Sequence, residues 1–146
     1  SEARRKLAKD MGADYVFDPR EVSPRQKVLE ITNGEGTDMN VEAAGAPSKT
    51  FPEIEGSMSF GSKTVQIGRA AERVPIYLEH FQTHKAKIAG AQGHSGYGTF
   101  PNVIRLMASG AIDTGKMITA HYSLDDVVKA IAKSGERLDG KIMVKI

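Results

Sequence analysis

The chain has 146 residues, enough for one compact domain with its own core. Its 20 lysine and arginine residues are spread along the chain against 18 acidic residues, for a formal net charge of +2, so the charge does not indicate a nucleic-acid partner. There is no cysteine, which excludes a disulfide framework, a thiolate zinc site and a cysteine nucleophile built from this chain alone, and no apolar run approaches the ~20 residues of a membrane span, so we expect a cytoplasmic protein without a membrane partner.

The chain opens with a predicted helix, a predicted strand and a second predicted helix. Ser1 is a good N-cap, so we expect the first helix over residues 2–11. The segment "DYVFDP" that follows combines aromatic and β-branched residues and stops at a proline, which predicts a strand. In "SPRQKVLEITNG", Ser23 and Gln26 form a capping box, which predicts the second helix.

Three apolar runs in the middle of the chain each end at glycine, and each is a candidate strand. They read "MNVEAAG", "KTVQIG" and "AKIAGAQG". Two segments between them, "APSKTFPEIEGSM" and "VPIYLEHFQTHK", have helical spacing of Phe, Ile and Leu, with limits blurred by Pro52 and Pro75. Strands and helices therefore alternate here.

The C-terminal third continues this alternation. Thr99 is the expected N-cap of a helix whose buried stripe is formed by Val103, Ile104 and Met107. "ITAHYS" is a candidate strand, a capping box at Ser123 predicts one more helix, and "GKIMVKI" closes the chain as a last strand.

Strands that are nearly apolar throughout and alternate with helices favour a doubly wound parallel sheet covered on both faces, so we predict the α/β class. In such sheets ligands bind beyond the carboxyl ends of the strands. Here these ends are followed by Ala44-Gly45, Gly68-Arg69 and Ala91-Gln92-Gly93. Small residues let a flat ligand approach the backbone, so the pattern suits a nucleotide-like cofactor.

Two glycine-rich stretches come close to known phosphate-binding motifs without matching them. "GSMSFGSKT" at 56–64 approaches a P-loop, but Ser62 separates Gly61 from Lys63 and the segment precedes a strand, so we interpret it as a polar turn between helix and strand. "GAQGHSGYG" lacks the G-x-G-x-x-G spacing. A flexible strand-to-helix turn is the alternative to a binding loop there.

The histidines give no clear metal site. His80 and His84 are four residues apart, which is metal-ligand spacing on a helix, but there is no H-E-x-x-H pattern and a packing or solvated role is favoured. His94 and His121 are isolated in the sequence. We therefore assign no metal ligand to this chain.

Five segments occur together in the order and spacing of a known family: "SEARRKLAKDMGADYVFDP", "ITNGEGTDMNVEAAG", "KTVQIGRA", "IAGAQGHSGYGTFPNVIRLMASGAID" and "RLDGKIMVKI". They resemble the C-terminal cofactor-binding domain of the zinc-type medium-chain alcohol dehydrogenases, over nearly the whole chain. The resemblance implies a partial NAD(P)-binding Rossmann domain over residues 1–146 that lacks its first strands, with the catalytic zinc domain absent from this chain.

The same resemblance implies a set of cofactor-binding positions. The residue at position 4 would lie beside the adenosine ribose, the pair at 44–45 would lie under the adenosine, and the stretch 67–69 would lie near the nicotinamide. The main chain of 91–93 would hold the carboxamide. These residues are Arg4, Ala44, Gly45, Ile67, Gly68, Arg69, Ala91, Gln92 and Gly93.

The implied activity is hydride transfer between a secondary alcohol or polyol and NAD, or NADP, in a parent protein whose other domain carries the zinc; "QGHSGYGTFP" looks most like members acting on sugar-like or cyclic polyols. No catalytic residue is assigned here, and we expect the fragment alone to be inactive. A zinc-free quinone or enoyl reductase of the same superfamily and a non-catalytic nucleotide-binding module are the alternatives. The resemblance also implies a homo-oligomer.

Overall fold

A computed structural model describes residues 1–93 and 96–146; the predicted glycine-rich loop is thus described only in part, and His94 and Ser95 lie outside the described residues. The helices are α1 Glu2–Asp10, α2 Pro24–Ile31, α3 Pro47–Glu55, α4 Leu78–Thr83, α5 Thr99–Ala108 and α6 Val127–Gly135. The strands are β1 Thr37–Glu42, β2 Met58–Gln66, β3 Lys87–Gly90, β4 Ile118–Ser123 and β5 Lys141–Lys145. All strand pairs in these ranges are parallel, which confirms the predicted α/β class.

The chain divides into two compact units. The first comprises Ser1–Asp18 and Gly96–Ile146, and the second comprises Pro19–Ser95. Within the described residues the parallel strands form two sheets, with β1, β2 and β3 in the second unit and β4 and β5 in the first.

The second unit is a three-stranded sheet of order β1-β2-β3 with a small apolar core. Phe51 of α3, Met58 of β2 and Phe81 of α4 are buried against one another, and Ile54 and Ala86 pack on them. Phe51, Ile54 and Phe81 come from the helices on either side of β2, so burial of one face of α3 and of α4 anchors both helices to this sheet.

The first unit pairs β4 with β5 and packs α6 against them through the buried Ala130. Its α1 begins as predicted, because the Ser1 hydroxyl accepts a hydrogen bond from the main-chain N–H of Arg4. Arg5 on the same helix forms a 2.7 Å ion pair with Asp18, whose side chain is 3% exposed. This ion pair ties α1 to the segment that follows it.

The strand predicted in "DYVFDP" is wrong, because residues 14–18 adopt no strand and 19 lies in a turn. Tyr15 and Phe17 stack on each other with ring centroids 6.4 Å apart, and Tyr15 is exposed. β-propensity alone does not make a strand, since a strand needs a neighbour for its main-chain hydrogen bonds, and none pairs with this segment within the described residues.

Two further expectations need correction. The stretch 56–64 is largely β2 and not a polar turn: the hydroxyl of its buried Ser59 donates to the Thr37 carbonyl or to Asp38, so this side chain is satisfied between β1 and β2. The predicted stripe on α5 is not buried, since Val103, Ile104 and Met107 are 40%, 60% and 43% exposed. Helical spacing predicts which residues share a face but not what covers it.

The capping box at Ser23 is confirmed on its serine side, because the Ser23 hydroxyl accepts from the Gln26 N–H. The Ser23 hydroxyl also donates to Glu53 of α3, which links α2 to α3. Across the two described stretches, no helix is long and apolar enough to cross a membrane.

Candidate functional site

The carboxyl ends of the three strands of the second unit lie level at one edge of the sheet. Glu42 at the end of β1 pairs in register with Gln66 at the end of β2, and Gln66 pairs with Gly90 at the end of β3. Hydrogen bonds continue past the ends, because Gly68 N–H donates to the Glu42 carbonyl and Ala91 N–H donates to the Gln66 carbonyl. The turns that follow the strands therefore start side by side.

These turns are rich in glycine and alanine, and most of their residues are open to solvent. Ala44 and the stretch 91–93 are exposed, and the side chain of Ile67 is 52% exposed. Arg69 is the one charged residue among the predicted positions in this unit. The structure thus brings together, at one edge, the sequence-predicted site residues of the second unit: they are Ala44, Gly45, Ile67, Gly68, Arg69, Ala91, Gln92 and Gly93.

The turns after β1 and β2 touch each other through their main chains. Gly45 has φ +69°, a left-handed conformation that favours glycine, and a Cβ atom placed there would lie 2.8 Å from the Arg69 carbonyl oxygen. A Cβ atom on Gly68 would lie 2.7 Å from Cα of Gly45. Glycine at these two positions is what allows the two turns to approach so closely.

Glu42 holds the turn after β1, and sequence reasoning missed it. Its side chain is 2% exposed, and its two carboxylate oxygens accept hydrogen bonds from the N–H groups of the three residues that precede α3, and from two side chains. The side-chain donors are Thr50 Oγ1 at 3.3 Å and Gln66 Nε2 at 2.8 Å. The main-chain donors are Ala44, Gly45 and Ala46, at 3.2, 3.3 and 3.3 Å.

These donors determine the charge of the Glu42 carboxyl group. Desolvation by burial acts to raise its pKa, but the hydrogen bonds from Ala46 N–H, from the Gln66 amide and from the other donors outweigh this, and the pKa of Glu42 is lowered from its ordinary value of 4.5. Hence Glu42 is an anion at neutral pH although none of its hydrogen-bond donors is a cation. The sequence does contain a signal for this role of Glu42: an acidic residue ends an apolar run and is followed by small residues whose N–H groups can turn back toward its carboxylate.

Arg4 belongs to the first unit. Its Nε and one terminal nitrogen donate to the main-chain carbonyl of Asp139, at 3.2 and 3.1 Å. The guanidinium is therefore held by this unit's own backbone. A role for Arg4 beside an adenosine ribose stays a prediction.

A groove of about 1160 Å³ lies beside β1 and α3. The segment 19–24 forms one wall, and Val41, Ala43 and Ile54 supply apolar lining. Among the predicted cofactor positions, Ala44 alone lines this groove, so its volume does not describe the edge where the three strand ends meet.

The residues present fit a flat dinucleotide better than a metal ion. The exposed turns offer glycine and alanine main chain, whose directional donors and acceptors suit a neutral carboxamide. For a zinc ion the donor set is lacking, because the chain has no cysteine and no three His, Asp or Glu side chains converge within the described ranges. His80 and His84 lie with ring centroids 6.0 Å apart, and Nδ1 of His84 lies 2.9 Å from the His80 carbonyl oxygen.

Comparison with known proteins finds relatives over most of this chain. Scyllo-inosose 3-dehydrogenase of Thermotoga maritima is 41% identical over 91% of the chain, and L-threonine 3-dehydrogenase of Thermococcus kodakarensis is 34% identical over 84%. A solved Thermotoga maritima structure described as an alcohol dehydrogenase superimposes with a TM-score of 0.92 at 38% identity, over 99% of this chain and 38% of that one. This similarity confirms the expected Rossmann-type fold.

The matched region is a part of each relative. The chain spans about a third of the length of the curated relatives it matches, 34% and 35% in the two cases above. The sequence profile of the zinc-binding dehydrogenase family matches residues 1–109. The chain therefore belongs to the zinc-binding dehydrogenase family.

Proposed function

We propose that this chain is the cofactor-binding part of a zinc-dependent alcohol or polyol dehydrogenase that transfers hydride between a secondary alcohol and NAD or NADP. The observation that carries the proposal is the register of Glu42, Gln66 and Gly90, which sets three small-residue turns side by side. Membership of the family and the relatives named for dehydrogenation of scyllo-inosose and L-threonine support it.

In this proposal the residues of the chain bind and orient the cofactor. The turn Ala44-Gly45 lies under the adenosine, and the main chain of residues 91–93 holds the nicotinamide carboxamide. Ile67 and its neighbours Gly68 and Arg69 flank the nicotinamide. The cofactor, when bound, supplies the hydride chemistry, and the chain's part is to fix the position of its reactive ring.

Arg4 is assigned to the adenosine ribose in the same proposal. The Asp139 carbonyl accepts two hydrogen bonds from its guanidinium, which leaves three of the five guanidinium N–H donors for a ribose hydroxyl or a 2′-phosphate. The Arg4→Gln variant tests the assignment. We expect weaker binding of NADH or NADPH, and whichever cofactor loses more affinity is the one whose ribose Arg4 contacts; unchanged binding of both would remove Arg4 from the site.

Calorimetric titration of the chain with NADH tests whether it binds a nicotinamide cofactor. We expect saturable heat with one site per chain, whereas a scaffold without a cofactor site gives none. The dehydrogenase activity needs a protein in which this chain is joined to a zinc domain. There, alcohol-dependent reduction of NAD across a panel of polyols, sugars and simple alcohols supports the proposal, and turnover in a protein free of zinc favours the quinone or enoyl reductase alternative.

The assembly and location are part of the proposal as well. We propose a homo-oligomer that pairs β3 or its neighbouring strand across a two-fold axis; β3 is exposed along its length. Sedimentation velocity tests this, because a monomer at all concentrations contradicts it. A cytoplasmic location is likewise proposed, and cell fractionation tests it.

A further inference from the structure

Glu42 links the two turns that the proposed function assigns to the cofactor. Its carboxylate accepts from Ala44, Gly45 and Ala46, while its main-chain carbonyl accepts from the N–H groups of Ile67 and Gly68, both at 2.8 Å. One residue thus contacts the turn after β1 through its side chain and the turn after β2 through its backbone.

Gln66 strengthens this link. Its Nε2 donates to Oε2 of Glu42 at 2.8 Å and to the carbonyl of Gly68 at 2.6 Å. The amide therefore connects the carboxylate to the second turn as well. Glu42 and Gln66 are register partners, so the pairing of β1 with β2 places these groups opposite each other.

The Glu42 carboxylate also takes the place of an N-cap side chain at the start of α3. Ala46 is the N-cap of this helix and has no side-chain oxygen to accept from the first turn. Glu42, four residues earlier, accepts from the Ala46 N–H and from the Thr50 hydroxyl within the helix. The start of α3 and the turn before it are therefore held by one buried anion.

From these contacts we propose that Glu42 is a positioning residue for cofactor binding, whose buried carboxylate fixes residues 43–46 against residues 67–69. The inference rests on the proposed function. Glu42 is buried, so it acts through the turns and does not touch the cofactor.

The isosteric variant Glu42→Gln removes the charge and one acceptor. Oε1 accepts from Ala44, Ala46 and Thr50, and Oε2 accepts from Gly45 and Gln66. Whether the amide NH₂ group takes the position of Oε1 or of Oε2, it faces hydrogen-bond donors. At least two of these donors therefore lose their acceptor. We expect NADH to bind roughly tenfold more weakly, since each buried donor left without a partner carries a penalty that favours displacement of the turn.

Thr64→Val is the matched control. Thr64 lies on β2, is buried, and its hydroxyl has no hydrogen-bond partner among the described residues, so the isosteric change alters a buried polar side chain of the same sheet without touching either turn. NADH affinity is expected to stay within about twofold of the wild type. All affinities are measured at a temperature at which circular dichroism shows each variant folded.

Amide hydrogen exchange provides a readout that a general loss of stability does not reproduce. In Glu42→Gln the amides of Ala44, Gly45 and Ala46 should exchange faster than in the wild type, while those of the β1–β2 ladder keep their rates. If Glu42→Gln does not fold, Thr50→Val removes one donor to the carboxylate and should weaken NADH binding about two- to threefold with the fold intact.

The outcomes separate this inference from the proposed function. Wild-type chain that is folded but binds no NADH overturns the proposed function and this inference with it. Wild-type binding that is unchanged in Glu42→Gln, or in Thr50→Val if the first variant does not fold, overturns this inference alone. Weaker binding together with faster exchange confined to residues 44–46 supports it.

Discussion

A Cβ atom placed on Gly68 would overlap Oε2 of Glu42, so the turn after β2 approaches the buried carboxylate as closely as glycine allows. The same atom would lie 2.7 Å from Cα of Gly45. Real Cβ atoms do not approach main chain this closely, so one of the two turns must move if Gly68 gains a side chain.

Gly68→Ala is therefore expected to destabilise the protein by about 1–3 kcal/mol, the usual cost of overpacking, and to weaken NADH binding. Gly90→Ala is the matched control, because Gly90 ends the neighbouring strand and a Cβ atom there has nothing within 4 Å. Urea denaturation and NADH titration of both variants check this. Equal losses in the two variants would contradict the proposed contact between the turns.

Acidification should remove the contribution of Glu42 to stability. Its pKa in the folded protein is below the ordinary value of 4.5, so the stabilisation is complete above that value and is lost as the pH falls through the folded-state pKa. The donors around the carboxylate are main-chain amides, Thr50 and Gln66, which do not titrate in this range.

The difference in unfolding free energy between the wild type and Glu42→Gln isolates this contribution from other carboxylates. We expect it to be largest near pH 7 and to shrink as the pH falls below 4.5. Denaturation curves at a series of pH values measure it. A difference that grows on acidification would mean that burial, and not hydrogen bonding, dominates the pKa of Glu42.

The ion pair between Arg5 and Asp18 should matter more than its neighbour on α1. Asp18 is buried, so Arg5→Gln removes a charged partner from a carboxylate shielded from water and should cost about 1–3 kcal/mol. Lys6 and Asp10 form an exposed pair, and Lys6→Gln should change stability by less than about 0.5 kcal/mol. Thermal and urea unfolding measure the loss of stability in each variant. Similar losses would contradict the larger contribution of the buried ion pair.

Ser23 should stabilise the contact between α2 and α3 in two ways. Its hydroxyl caps α2 through the Gln26 N–H and donates to Glu53, so we expect Ser23→Ala to cost about 1–2 kcal/mol. Ser48→Ala is a suitable comparison, because Ser48 is exposed in the first turn of α3 and should be nearly neutral. The helicity and the urea denaturation midpoint are measured for both variants, and equal losses in Ser23→Ala and Ser48→Ala would contradict the role of Ser23.

Much of the fold could be predicted from local chemistry. The caps at Ser1 and Ser23 are confirmed because a hydroxyl and the N–H groups it serves are neighbours in sequence, and the three apolar runs that end in glycine each contribute a strand, β1, β2 and β3. That the carboxyl ends share one edge of the sheet follows from the parallel class, whereas their level alignment is set by the register.

The remainder depends on partners far along the chain. Ser62 is predicted in a polar turn, yet it is buried in β2, where Asn40 of β1 donates to its hydroxyl. The full role of Glu42 could not be predicted from the sequence, because it depends on a turn that folds back onto the carboxylate and on Gln66, 24 residues later. Sequence spacing gives the face of a helix or strand, whereas the contacts of that face are set by tertiary structure.

We propose that the level strand ends of β1, β2 and β3 form one cofactor-binding edge. Titration of the isotope-labelled chain with NADH, followed by amide chemical shifts, tests it most directly. We predict saturable chemical-shift changes at Ala44, Gly45 and Gly68 and at residues 91–93. In Gly68→Ala these changes should saturate at higher NADH concentration, whereas in Gly90→Ala they should saturate as in the wild type. Folded chain that shows no saturable shift, or shifts confined to residues away from these turns, would contradict the claim.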